Sequence, residues 1–495
     1  MKYSKYIVAL FSLVVLLFGS SCKENLLDIS PAGNNTSNDF YKDEAQLNQG
    51  VLAIYNSLRT MPTNNWLMSE VRADNGLESF VNVQRDVNDI GNYLAASQTG
   101  AIQTTWSTLY NQIYRANIVL EKIEPFTFAK VAQFKGEAQF LRAMAYFDLV
   151  RYFGDVPLTT KILTIEESKV INREPFANVY NLIVEDLKFA AANLPETYVV
   201  ADKGRVTKWA AKALLGRVYL TMAGYPLKQA DKMALAKTEF ADVIAQETKY
   251  FPMATVYADM FKAVNDNKFN IFEVQYVSGG LGLGNLAPFD MAFQFPSQWS
   301  AFQPSGYDAV VSPMLMAFWP NLDKRKFASV DTGYTDTKTG AKSTRSQFTK
   351  FLEKGTTLPV DRFDHPNNFP LIRFEDVLLS YAEILNEEAA APPVQALTIL
   401  NRIRTRAGIA NATPATKEAF RLAMEQERQW EFCGEGLRWH DLVRTERALP
   451  VMNKFMTDNA VPIKRILDNH DLLFPIPLKE LLINPGFWKQ NAGYN

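Results

Sequence analysis

The 495-residue chain is poor in the two side chains that most often carry metals and covalent chemistry, with two cysteines and three histidines. Two cysteines make no disulfide framework, and Cys22 and Cys433 lie near opposite ends. His365, His440 and His470 show no ligand spacing with one another, so no metal site is expected. An excess of charge of either sign is also missing: 52 basic against 53 acidic residues leave no field to recruit nucleic acid. There is no Gly-x-Ser-x-Gly elbow for acyl transfer. The run Ser278-Gly279-Gly280-Leu281-Gly282-Leu283-Gly284 is followed by no Lys-Ser/Thr and opens no dinucleotide-type helix, so it is read as a flexible surface loop with no nucleotide cofactor. A glycosidase needs only two carboxylates across a cleft, but nothing marks such a pair, and the chain is read as a non-enzyme.

Long apolar runs are confined to the start. Ile7 to Phe18 is apolar except for Ser12, behind Lys2 and Lys5, and too short for a permanent span. Gly19, Ser20 and Ser21 then precede Cys22, a pattern that resembles a bacterial lipoprotein signal over 1–21 with Cys22 carrying the lipid. Gly19 stands where such signals more often have Leu. With Cys22 lipidated, Cys433 has no partner and is expected to be a small buried hydrophobe. Residues 22–37, with Pro31, Gly33 and Asn34-Asn35, read as an extended tether.

What the chain does have is apolar periodicity and aromatics. Hydrophobic residues at 47% supply a sizeable core, and 12% aromatics exceed what a core requires. Leu47, Val51, Ile54, Tyr55 and Leu58 share one helical face, and helices are predicted over about 102–123, 129–153, 175–192 and 207–223. Gly154 and Pro157 stop the one over 129–153. The alanine-rich 207–223 segment is expected to be buried on most sides. Such helices, joined by short turns, suggest stacked pairs of the tetratricopeptide kind, although no strict consensus of about 34 residues is visible. Between about 248 and 370 the texture becomes irregular, with Ile271–Val277 alternating like a strand. Helical pattern returns at Arg373 and continues through Val394, Leu397, Leu400 and Ile403 to Gly408. The expected architecture is therefore all-α dominated: helical body 38–247, loop-rich lobe with a few short strands 248–370, and helical body 371–495.

The stretch Glu427–Arg444 holds four acids, three arginines and the aromatics Trp430, Phe432 and Trp439. Glu435, Arg438, Asp441 and Arg444 follow three apart, so local pairing of Glu427, Glu431, Glu435 and Asp441 with Arg428, Arg438 and Arg444 is expected to make a charge-paired helix edge rather than an acid–base site. This stretch, with its E-R, E, E-G and R-W-x-D-L-x-R elements, closely resembles the late signature of the SusD/RagB family. So do Gly136–Ala143, Tyr152-Phe153-Gly154-Asp155-Val156-Pro157-Leu158, Leu400–Gly408, Phe474-Pro475-Ile476-Pro477 and the ending Asn484 to Tyr494.

That resemblance implies a lipid-anchored protein of the outer membrane facing outward, touching the membrane through its lipid alone. It implies capture of oligosaccharide and its delivery to a SusC-like TonB-dependent transporter. Two alternatives stay open: a peptide-capturing protein of the same build, and a helical-repeat scaffold without a small ligand.

Candidate binding residues come from aromatics that helix periodicity does not explain. Phe289 to Trp319 sets Phe293, Trp299, Phe302 and Tyr307 among Pro288, Pro296, Pro304 and Pro313, with Gln298, Gln303 and Asp308 for hydroxyls. A flat ring meets the apolar face of a sugar while amides and carboxylates bond its hydroxyls. Phe318 and Trp319 are expected to pack inside, on a short helix begun by Ser312-Pro313 and ended by Pro320. A second candidate is Asn64-Asn65-Trp66, read as a loop after Pro62, with Arg72 and Asp74 behind it.

Overall fold

The computed structural model describes residues 40–78, 85–303, 309–355, 361–459 and 465–494. The expected signal 1–21, the lipid-bearing Cys22, the tether 22–37, and Tyr307 and Asp308 lie outside the described residues.

The helices predicted from periodicity form, with local signals setting their ends, and Lys232–Ile244, Lys417–Glu431 and Ala448–Asp458 add others. Helix α1 (Glu44–Ser57) starts where the Asp43 carboxylate accepts the Gln46 N–H at 2.8 Å, and it buries Leu47, Val51 and Ile54. Helices α2 (Gly100–Lys122) and α3 (Val131–Phe153) follow. Gly154 closes α3 at φ 71°, a left-handed turn that an L side chain resists. Then come α4 (Phe176–Asn193), α5 (Lys208–Ala223), capped by the Thr207 hydroxyl, and α6 (Lys232–Ile244). After the irregular lobe the chain continues as α7 (Phe374–Glu388), α8 (Val394–Ala407), α9 (Lys417–Glu431), α10 (Arg438–Arg444) and α11 (Ala448–Asp458).

Each long helix packs against the next: α1 on α2, α2 on α3, α3 on α4, α4 on α5 and α5 on α6. The series then passes from α6 directly to α7, and on to α8 and α9. This is a stack of helix pairs, and the lobe is inserted between two helices that touch. Helix α3 is buried almost all round, since neighbours cover both of its sides. Small residues let them come close: a Cβ at Gly216 of α5 would stand 2.6 Å from the Phe240 ring of α6. Burying each large apolar side chain contributes about 1.5–3 kcal/mol, so a core this long stabilises the chain without disulfides. Cys433 is fully buried in it.

Buried polar pairs fix the register of the stack. Arg142 of α3 grips Asp186 of α4 through two bonds of 2.8 Å and donates to the Asn117 amide oxygen on α2 at 2.8 Å. Glu137 accepts from Tyr55 at 2.7 Å and from Arg205 at 3.1 Å. No described helix is long and apolar enough to cross a membrane.

Among the described residues, ten strands of two to four residues pair antiparallel in five two-stranded sheets. In the lobe, β4 (Phe272–Val274) pairs with β10 (Phe369–Ile372), and β7 (Tyr334–Thr335) with β8 (Lys342–Ser343). The expected strand over 271–277 shortens to three fully buried residues. The glycine run is exposed, but it is pinned: the Gly279 and Gly280 N–H groups both donate to the Asp364 carboxylate, at 2.7 and 3.0 Å.

The signature stretch ties these parts together, by pairings other than the local ones expected. Glu427 accepts from Arg325 of the lobe and Arg404 of α8, at 2.7 and 2.8 Å. Glu431 is ringed by Arg325, Arg373 and Arg406. Glu435 takes Lys350 and Arg373. Asp441 alone pairs within the stretch, with Arg428 and Arg444. Arg438 reaches Asp74. The reason is burial: most of these groups are shut from water, where a charge needs a partner at hydrogen-bond distance, and the nearest facing charge sits on another element.

Candidate functional site

Residues 293–303 fold over a small apolar cluster of Phe289, Ala292, Phe295 and Leu352, on which Trp299 and Phe302 lie half-buried. The backbone is tied without a helix: Trp299 N–H donates to the Pro296 carbonyl at 3.0 Å, and Gly355 N–H to the Trp299 carbonyl at 3.1 Å. The indole is thus held by its main chain on both sides while part of its surface reaches solvent.

Around it stand groups that the sequence did not single out. The Tyr334 ring of β7 meets Trp299 edge-on at 5.5 Å, and the Lys354 ammonium lies 4.2 Å from the indole centre. Burial lowers the Lys354 pKa, with Asp331 opposing. A second ring, Phe293, carries the Arg345 guanidinium 3.7 Å above it. Both cations favour the negative faces of the rings. Gln298, expected as a ligand group, instead braces the β7–β8 hairpin: its amide donates to the Thr335 carbonyl at 2.8 Å and accepts the Thr337 N–H at 3.0 Å. Gln303 is likewise used, exchanging bonds with the backbone of Phe295. Tyr334 and Lys354 come from chain distant from Trp299, as Arg345 does from Phe293, and only the fold brings them together.

The second candidate region is placed differently from expectation. Residues 61–65 are helical, Pro62 occupying the first turn where its missing N–H costs nothing, and 66–71 continue as a wider π-type turn. Trp66 is therefore fully buried, edge-on to Phe348 at 6.0 Å, and offers no face to a ligand. Asn65 accepts from the Tyr152 hydroxyl at 3.2 Å and packs on Gly436, where a Cβ would come within 2.8 Å of it. Asp74 is buried under Arg438, and Arg72 donates to the Asp471 carbonyl at 2.8 Å. These four are structural. Of the Phe318–Trp319 pair, Trp319 is buried as expected, whereas Phe318 is 60% exposed on the outer face of its short helix.

Groups able to hold a metal are few among the described residues. Asp468, His470 and Asp471 bring their ligand atoms within 4.8 Å of one another. Arg465 already pairs with the Asp471 carboxylate, so its charge is matched. His365 stacks near Phe289 at 4.9 Å, and burial pushes its pKa down to about 4.

Cavities of about 480 and 570 Å³ lie away from Trp299, against α9 and α10. The charged residues around the first are paired with one another, as in Arg444 with Glu383 and Arg421 with Glu387. The Trp299 group is by contrast a ridge of rings on the surface. A ridge suits an extended ligand that lies across it, where a small compact molecule needs an enclosure.

Comparison with known proteins agrees with this architecture. Residues 25–220 match the family described as "Starch-binding associating with outer membrane", and residues 320–494 match the SusD family. SusD-like protein P25 of Formosa agariphila is 26% identical over 100% of this chain and 99% of its own. A solved SusD superfamily protein of Parabacteroides distasonis superposes with a TM-score of 0.77 at 26% identity, covering 90% of this chain and 99% of that one. A laminarin-binding SusD-like protein gives 0.76 at 26% identity, covering 92% and 100%.

Proposed function

Because the chain belongs to the SusD/RagB family, we propose that it is a binding protein that captures oligosaccharide on the Trp299 ridge. The observation that carries this is the half-buried indole whose backbone is hydrogen-bonded on both sides, with Tyr334 set edge-on beside it. An aromatic face stacks on the apolar face of a pyranose, and an open ridge admits a chain longer than one sugar. Phe302 packs on the same apolar cluster. The laminarin-binding relative supports a glycan as cargo.

The family also supports the finer reading: a protein anchored to the outer membrane through Cys22, facing outward and passing its cargo to a SusC-like TonB-dependent transporter. Capture rather than catalysis fits a site where Asp336 is engaged by the Ser297 and Thr339 N–H groups and Asp331 accepts from the Gln347 amide.

The test is calorimetric titration of the full chain with laminarin fragments, starch fragments and a set of mixed-sequence peptides, for wild type and Trp299→Ala. Saccharide binding that weakens at least tenfold in the variant, with melting unchanged, is expected. Peptide binding without saccharide binding would replace the glycan reading, and unchanged saccharide affinity in Trp299→Ala would move the site elsewhere.

A further inference from the structure

A cavity of about 190 Å³ opens where the end of α3, α4, the end of α5, α10 and the segment 469–473 meet, and none of its lining residues belongs to the aromatic ridge. Its walls are chiefly apolar, with Val150, Phe176, Val443 and Leu473 among them. Two polar side chains set into it have no hydrogen-bond partner among the described residues. One is the imidazole of His440, tilted against the Tyr152 ring at 4.9 Å; the other is the hydroxyl of Tyr180, whose ring meets Phe147 at 6.1 Å. Both residues are more than nine-tenths buried. Their polar atoms face the cavity, so the bonds that the protein does not supply are left to whatever occupies it.

The charges around the cavity are already matched. Arg151 is paired with Asp148, and Arg444 with Glu383 and Asp441. An ionised guest would lose its water and find no counter-charge. Burial, with Arg151 and Arg217 adding to it, pushes the His440 pKa well down, so the ring is neutral and offers one acceptor and one donor nitrogen. The size is telling as well. An apolar cavity of about 150 Å³ takes up benzene, so this one holds a single six-membered ring with one substituent. About six waters would fill the same space at about 30 Å³ each, but the apolar walls leave most of them without partners.

We propose that this cavity is a binding site for a small neutral ring alcohol, a phenol or cyclic alcohol, whose hydroxyl bonds His440 and Tyr180 while the ring lies among Val150, Phe176 and Leu473. A hydroxyl both donates and accepts, which matches one acceptor nitrogen and one phenolic O–H. The site does not depend on the glycan reading, since no residue is shared with the Trp299 ridge.

The test is titration of the full chain with p-cresol, with benzoate and glucose as charged and fully hydroxylated comparators, followed by calorimetry and by nuclear Overhauser contacts from the cresol methyl. Saturable p-cresol binding with contacts to the His440 and Phe176 rings is expected. Tyr180→Phe should weaken it about three- to tenfold by removing one hydrogen bond. Leu473→Trp, which fills the cavity from its half-buried rim, should abolish it, and Trp299→Ala should leave it unchanged. Absence of binding at millimolar p-cresol, contacts only to other residues, or tighter binding of benzoate than of p-cresol would each overturn the assignment.

Discussion

Arg438 holds Asp74 by two hydrogen bonds, of 2.7 and 2.8 Å, that join the C-terminal signature helix to a segment 364 residues earlier. Both side chains are buried. Arg438→Ala therefore strands a carboxylate in the interior, at a cost of about 3–5 kcal/mol. Thermal melts should show the loss, while the folded fraction keeps its saccharide affinity. A variant that melts normally but no longer binds would contradict this assignment.

Glu431 is the acceptor for three arginines, Arg325, Arg373 and Arg406, from three different parts of the chain. Burial alone would raise its pKa, but Arg406, Arg373 and Arg325 outweigh it and hold it below the ordinary carboxylate value. A depressed folded pKa contributes stability that is present above the unfolded value and lost as pH falls below about 4.5. Glu431→Gln should destabilise strongly at pH 7 and flatten the acid limb of the stability curve. Equal acid sensitivity in variant and wild type, measured by denaturant melts from pH 3 to 7, would refute it.

Asp266 behaves in the opposite sense. Burial, reinforced by Glu273 and Glu353 against the Asn368 N–H bond, raises its pKa to about 7. The native state then favours the protonated form, so this group's contribution is fullest below the unfolded value and declines as pH rises through 7. Asp266→Asn should be more stable than wild type at pH 8 by on the order of 1 kcal/mol, discounted for the partly exposed site, and similar at pH 4. Melting curves at the two pH values decide it.

At the ridge, Lys354 covers the Trp299 ring on which the proposed saccharide site rests. Displacing a cation from a ring costs about 0.5–1 kcal/mol, so Lys354→Met should tighten saccharide binding about two- to fivefold. Weaker binding would mean that the ammonium is itself a ligand contact. Trp66→Ala should instead cost about 3–5 kcal/mol of stability, as core truncations of large rings do, with little change in affinity of the folded protein.

The helices were legible because apolar spacing and capping residues are local: Asp43, Thr207 and Gly408 act within a turn of where they stand. The charge partners were not, because a buried carboxylate is paired by whatever element faces it, and helical spacing in Glu427–Arg444 says nothing of Arg325 or Lys350. The same limit applies at the site. Trp299 stood out as an aromatic unexplained by periodicity, whereas Tyr334 and Lys354 reach it only through the folding of the lobe. Trp66 is core because Pro62, a residue common in loops, here starts a helix that turns the indole inward.

The placement of Arg325 and Lys350 has a consequence for how the molecule melts. Both belong to the lobe, yet they neutralise Glu427, Glu431 and Glu435 in the interior of the helical stack. The stack is electrostatically incomplete without its insertion, and the insertion has its two ends fixed by the adjacent helices α6 and α7. The lobe's loops can diverge at their tips, but the two cations Arg325 and Lys350 must persist in any exchanged segment. Lobe and stack form one cooperative unit, in which loosening either exposes unmatched charge in the other.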